Sequence, residues 1–247
     1  MYAFLRRPKW IAFTLGVLLL VVVLVNLGLW QLRRLDERQE RNAAVRERAT
    51  QETVPIEQAD GGEWQNVQAT GEYDADRQVL VRNRSLNGSP GYHVLTPLVL
   101  PTGEGLVVNR GFIPLETSSD GPVVPEPPTG SISVDGRVRA SQTRGSFGPR
   151  DPAEGTLTAL ARADIARLQQ QISYPLLPFY VELESSTPAE AGGPTPIPLP
   201  HLDDGPHLSY AIQWFTFATL AVVGWVVVVR KSGRDHKQRV GVDNDAP

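Results

Sequence analysis

Residues 10–30, WIAFTLGVLLLVVVLVNLGLW, carry no charged side chain, and Thr14 and Asn26 are their only polar ones. At about 1.5 Å of rise per residue, a helix of this length covers roughly 30 Å, the depth of one bilayer core. A cleavable signal peptide is the rival reading, with Arg6, Arg7 and Lys9 as its basic leader. The apolar stretch is too long for one, and no A-x-A-like site stands before QLRRLDERQER. The run reads as an uncleaved anchor. A second run, HLSYAIQWFTFATLAVVGWVVVV at residues 207–229, reads as another span.

Charge orients the pair. Arg230, Lys231, Arg234, Lys237 and Arg239 follow the second run, and no Lys or Arg lies in the twenty positions before it. By the excess of cations on the cytoplasmic side, residues 230–247 form a cytoplasmic tail and residues 1–9 a cytoplasmic N-terminus. Arg33, Arg34, Arg38 and Arg41 point the other way, but Asp36, Glu37 and Glu40 interleave with them, and they open a long domain. The expected division is a span at 10–32, an extracytoplasmic domain at 33–206 and a span at 207–229, the whole anchored in a membrane with both termini cytoplasmic.

The middle of the chain changes character. Residues 33–50 are helix formers without Gly or Pro, so the first span is expected to run on as a polar helix. After it come short β-type runs: WQNVQATGEYD, then RQVLVRNR, where Val79 and Val81 alternate with polar neighbours while Leu80 departs from the pattern. NGSPG is a turn cluster. YHVLTPLVL and GLVVNRGFI flank PTGE as a hairpin. SISVDGRVRA and PFYVELE are further strands. ADIARLQQQI reads as one short helix capped by Asp164, with Ile165, Leu168 and Ile172 on one face. Residues 185–206 are a Pro-rich linker. The expected fold class is an α+β membrane protein, two transmembrane helices bracketing an antiparallel sheet or small β-barrel with one short helix.

The chemistry is sparse. A formal net charge of −3 supplies no basic field for nucleic acid. Cysteine is absent, which removes disulfides, thiolate metal sites and a cysteine nucleophile. RGSFG lacks the G-x-S-x-G spacing, and neither a P-loop nor G-x-G-x-x-G occurs. No acid–base or nucleophile constellation supports an enzyme. Of four histidines, His93 falls in an expected strand and His236 in the tail. HLDDGPH sets His201 and His207 around Asp203 and Asp204, either a solvated acidic turn or a loose cation site. Arg82 and Arg84 share a strand face and Arg110 follows a neighbouring run; such guanidinium forks suit carboxylates, including haem propionates or acidic patches, or else pair with local acids.

His207 opens the second span. On a helix, residues 207, 210, 211, 214 and 218 share a stripe reading His, Tyr, Ala, Trp, Ala. That surface has room for a flat apolar group beside an imidazole, the common axial ligand of haem iron. The same residues also suit an interfacial belt.

Five motifs in order carry a resemblance: LGLWQLRRLDER leaving the first span, GEYDADRQVLVRNRSLNGSPGYHVLTPL, GLVVNRGFIP, PFYVEL, and HLSYAIQWFTFA opening the second. Together they resemble the surfeit locus protein one family, assembly factors for cytochrome c oxidase and related haem–copper oxidases. The resemblance implies a non-enzymatic chaperone that assists haem a delivery or insertion into the oxidase's catalytic subunit, binding haem a transiently with His207 on the iron. Gly28, Trp30, Tyr73, Arg110, Gly111, Tyr210 and Trp214 fall on the family's motif positions. The resemblance makes His207, Tyr210, Trp214, Gly28 and Trp30 the cofactor-binding set, the two spans sandwiching the ring, and the catalytic subunit and wider respiratory complex the partners, beside the lipid bilayer. The alternative is a scaffold or accessory subunit of that complex which never touches haem.

Overall fold

The computed structural model describes residues 6–115, 122–146 and 148–244, the side chains of 235–244 excepted. His236 therefore lies outside the described side chains. The chain forms two compact units: Met1–Ala43 together with Leu202–Pro247, and Ala44–His201.

The first unit is a pair of long helices. Helix α1 runs over Pro8–Ala49, continuing through the polar segment as its composition predicts, and α3 over His207–Asn244. Both are long and apolar enough to cross a membrane. Along α1 one row of less exposed positions is Trp10, Thr14, Val17, Val21, Leu24, Gly28, Gln31, Leu35, Arg38 and Asn42, with Val25, Leu27 and Leu32 beside it. Steps along the row alternate four and three, the repeat that keeps one seam of a helix on a partner. On α3 the matching stripe includes His207, Ala211, Phe215, Ala218, Trp225 and Val229. Away from the seam, Leu15, Leu18, Leu19, Val22, Ile212, Leu220 and Val223 stand exposed. An apolar surface of that extent calls for lipid rather than water.

The second unit is a mixed β-sheet with one short helix. In chain order its strands are β1 (Val54–Pro55), β2 (Asn66–Tyr73), β3 (Val79–Leu86), β4 (Ser89–Val99), β5 (Gly105–Pro114), β6 (Ser131–Ala140), β7 (Ala159–Leu160) and β8 (Leu176–Thr187). They lie side by side as β1-β2-β6-β8-β5-β4-β3-β7, and the end of β2 also pairs with β4. The sheet thus curls until Glu72 meets Val99 and Tyr73 meets Leu98. The all-antiparallel expectation fails at three ladders: β5 runs parallel to β8, β1 to β2 and β3 to β7. The reason is connectivity. Between β5 and β8 the chain makes β6, β7 and helix α2 (Ile165–Gln169), enough length for the crossover that a parallel pair requires.

The local elements follow their residues. Asn87 and Gly88 both hold positive φ, 51° and 82°, so β3 and β4 join through the tight two-residue turn whose twist matches a hairpin. Asp164 caps α2 by accepting the Arg167 N–H at 3.0 Å, and Ile165, Leu168 and Ile172 are all buried. Strand β5 is buried on both faces: Leu106 and Val108 join one core with Val134, Val138 and Val181, while Val107 joins another with Val81, Leu95, Leu168 and Tyr180.

Candidate functional site

Where α3 begins, three polar groups on the aqueous extension of α1 hold the preceding turn. Arg38 and Asn42 donate to the Asp203 carbonyl at 3.1 and 2.8 Å, and the Gln39 amide donates to Asp204 at 3.0 Å. Asn42 is buried, so its amide is worth more here than an exposed one. The acidic turn that reads as a loose cation site is thus held by α1. Among the described residues no group of three or more His, Asp or Glu side chains is placed to hold a metal ion.

One turn further in lies the pair that sets the site. The His207 Nδ1 lies 2.9 Å from Gln31 Oε1. An amide oxygen only accepts, so Nδ1 carries the proton and donates. In the neutral ring Nε2 then keeps its lone pair and is the atom free to take a metal. An acceptor on one imidazole nitrogen is the usual way a protein fixes the orientation of a ligating ring.

Below the pair the helices close. A Cβ built on Gly28 would stand 2.5 Å from the Phe215 ring, so only glycine fits, and Ala211 and Ala218 are buried at neighbouring levels. Near the opposite end the Trp225 indole N–H donates to Thr14 Oγ1 at 3.2 Å. The Phe215 ring packs on Gly28 between the two helices. The expected stripe also divides. His207, Ala211 and Ala218 belong to the seam, Trp214 is half-buried, and Tyr210 and Trp30 are both 47% exposed. With steps of three and four, His207, Tyr210, Trp214 and Phe217 make an aromatic flank beside the seam; Trp214 and Phe217 meet edge to face at 6.0 Å. Phe215 and Gln31 are the residues sequence reasoning missed. Gln31 stands three positions after Gly28, the next place in the row of alternating four- and three-residue steps, and that register is the signal that finds it.

Arg82, Arg84 and Arg110 each find a partner within the β unit. Arg82 meets Asp151 at 2.6 Å, and Arg84 donates to Gln142 at 2.9 Å. Arg110 has no exposed surface. Its guanidinium donates to Glu190 at 2.9 and 3.1 Å, to Gln78 at 2.8 Å, and to the Pro125 and Glu126 carbonyls at 2.9 and 3.2 Å, with the Tyr73 ring 5.7 Å away. It ties the Pro-rich connection and the linker after β8 to the sheet, and has no donor left for a ligand. Gly111 serves the same attachment: at φ 138° its backbone lies so close to the Thr195 carbonyl that no side chain fits, and Phe112 and Thr195 exchange hydrogen bonds of 2.8 and 2.9 Å. Burial, then the Glu190 charge, holds the Tyr73 phenol well above its ordinary range.

A second polar group lies on the α2 side of the sheet. Burial, reinforced by Arg84, depresses His93 to about 4, while the Asn109 amide sits 3.3 Å from its Nδ1. Burial pushes the Glu182 carboxyl up against the opposing pull of Arg139 and Arg137. Arg139 stacks over Trp64 with its guanidinium carbon 3.7 Å from the ring centre.

These two units have recognisable relatives. The SURF1 family profile matches residues 18–219, which takes in most of α1, all of the sheet and the first turns of α3. The chain belongs to the SURF1 family. A SURF1-like protein of Mycobacterium bovis is 31% identical over 232 residues, covering 90% of this chain and 84% of its own. The surfeit locus protein 1 of Takifugu rubripes is 24% identical over 243 residues, 85% of this chain and 93% of its own. A cytochrome oxidase assembly protein of Saccharomyces cerevisiae is 30% identical over 99 residues, 37% of this chain and 25% of its own. Gly28, Gln31, His207 and Phe215 all fall within the matched residues.

Proposed function

We propose that this protein is a non-enzymatic assembly factor for a haem–copper terminal oxidase and that it handles haem a through His207. Family membership and the name of the yeast relative support the assembly role. The observation that carries the cofactor reading is the His207–Gln31 hydrogen bond, which leaves Nε2 as the open donor atom of an oriented ring. Haem a brings the iron and macrocycle of the oxidase's redox centre; neutral imidazole is a suitable axial ligand for it. His207 would hold the iron, and the flank of Tyr210, Trp214 and Phe217 would receive the ring face, since Phe215 closes the space between the helices. The cations after residue 229 and before residue 10 support the site end of the pair facing away from the cytoplasm. The oxidase's catalytic subunit is the recipient.

The closed seam also favours a second reading, a scaffold that steadies an oxidase intermediate and never touches haem. One experiment separates them. The protein is purified in detergent from cells making haem a, as wild type and as His207→Ala. Haem handling predicts that the variant loses most of the Soret absorbance per chain, while equal absorbance rules out His207 as ligand. Co-purification with the oxidase at unchanged yield, with no haem in either protein, is the scaffold's signature.

A further inference from the structure

At the end of the helix pair remote from His207, Lys9, Trp10, Phe13 and Val228 line an open groove of about 250 Å³. Its walls are apolar, and its volume falls below the roughly 300–1,000 Å³ typical of small-molecule pockets. Open, shallow and greasy, it has the form of a seat for a stretch of hydrocarbon chain. Its rim is cationic. Arg6, Arg7, Lys9, Arg230, Lys231 and Arg234 all stand exposed at this end, and no Asp or Glu occurs within residues 6–13 or 226–234. Trp10 and Phe13 meet edge to face at 5.9 Å, giving the groove a rigid aromatic wall at the depth where rings sit between headgroup and hydrocarbon.

We propose that this groove is a binding site for one anionic phospholipid. An acyl chain lies along Trp10, Phe13 and Val228, and the phosphodiester meets the Lys9 ammonium, with the neighbouring cations adding attraction. The two halves of the site match the two halves of the ligand. An apolar groove alone would accept any lipid or a neighbouring helix; a cationic rim alone would attract any anion. Each cation near an anionic membrane surface adds attraction for anionic headgroups, so the rim favours anionic over zwitterionic lipid, and the groove fixes where the bound molecule sits.

Native mass spectrometry of the full chain in detergent tests the site, with palmitoyl-oleoyl phosphatidylglycerol, the phosphatidylcholine of identical chains, and inorganic phosphate as probes. The expected result is one retained phosphatidylglycerol per chain, held about ten-fold more tightly than phosphatidylcholine and not displaced by phosphate. Lys9→Gln should bring the two lipids within a few-fold of each other. Val228→Trp, at an exposed position, fills the groove and should weaken both. If Val228→Trp leaves phosphatidylglycerol binding unchanged, or if Arg6→Gln with Arg7→Gln abolishes it while Lys9→Gln does not, the groove is not the seat and the proposal is overturned. Displacement by free phosphate overturns it as well.

Discussion

A single hydrogen bond decides what His207 can do. In water a neutral imidazole prefers to keep its proton on Nε2; here the Gln31 carbonyl at 2.9 Å draws it to Nδ1. Replacing Gln31 by Leu removes the acceptor and keeps the volume. Nitrogen-15 shifts of histidine-labelled protein should then report the His207 proton moving from Nδ1 toward Nε2, and where haem binds, affinity should fall by about 10–100-fold, the usual cost of losing the group that orients a ligating imidazole. Unchanged His207 shifts in Gln31→Leu would show that another group holds the tautomer, whatever the fate of the haem reading. His93 carries the opposite lesson. Its pKa falls from 6.5 to about 4 on folding, so between those values the unfolded chain binds more protons. The stability this ring contributes is complete above pH 6.5 and is lost as pH falls toward 4. Glu182, pushed above its ordinary 4.5, has the reverse sign and gains stability as pH falls. Denaturant melts across that range should therefore show a shallower acid loss in His93→Gln than in wild type, by on the order of 1–2 kcal/mol after solvent screening.

At the scale of elements, the helix pair depends on one missing methyl group. Gly28→Val places branched carbon inside the Phe215 ring, and overpacking of this kind costs about 1–3 kcal/mol. The thermal midpoint in detergent should drop, and Phe215→Ala in the Gly28→Val background should recover part of it; a double variant no better than the single would mean the two do not meet. The sequence marks Gly28 only as a motif position in the cofactor-binding set; its contact with Phe215 was not legible, because a run of Leu and Val does not say which residues of the facing helix it meets. The local elements were legible for a physical reason: Asn87-Gly88, PTGE and Asp164 act within a few residues of themselves. The parallel β5–β8 ladder was not. Its register is set between Val107 and Tyr180 across more than seventy residues, and no short-range pattern records it. Strands β1 and β7, two residues each, are too short to show any alternation. Arg110 read as a candidate ligand contact because its partner Glu190 stands eighty positions away. In the candidate site, His207, Tyr210 and Trp214 are singled out by spacing, while Gln31, Phe215 and Phe217 require knowing which faces meet.

For the whole molecule, two units on one chain imply two separable requirements. The unit Ala44–His201 has its own two cores, and Arg110 joins β5, the Pro-rich connection and the linker after β8 into one hydrogen-bonded hub. Nothing in that accounting draws on lipid, so residues 44–201 expressed alone should fold and melt cooperatively by circular dichroism. Within that fragment Arg110→Met leaves the buried Glu190 carboxylate without its cation, a loss that costs about 3–5 kcal/mol, whereas Arg110→Met combined with Glu190→Leu removes both charges and should recover most of it. The same fragment lacks Gln31, His207 and the aromatic flank. In cells deprived of the full chain it should therefore leave the haem a absorbance of the oxidase at the depleted level, while the full chain restores it. Restoration by the fragment alone would move the function into the sheet and make the helix pair an anchor, because then no side chain of the seam would be needed for assembly.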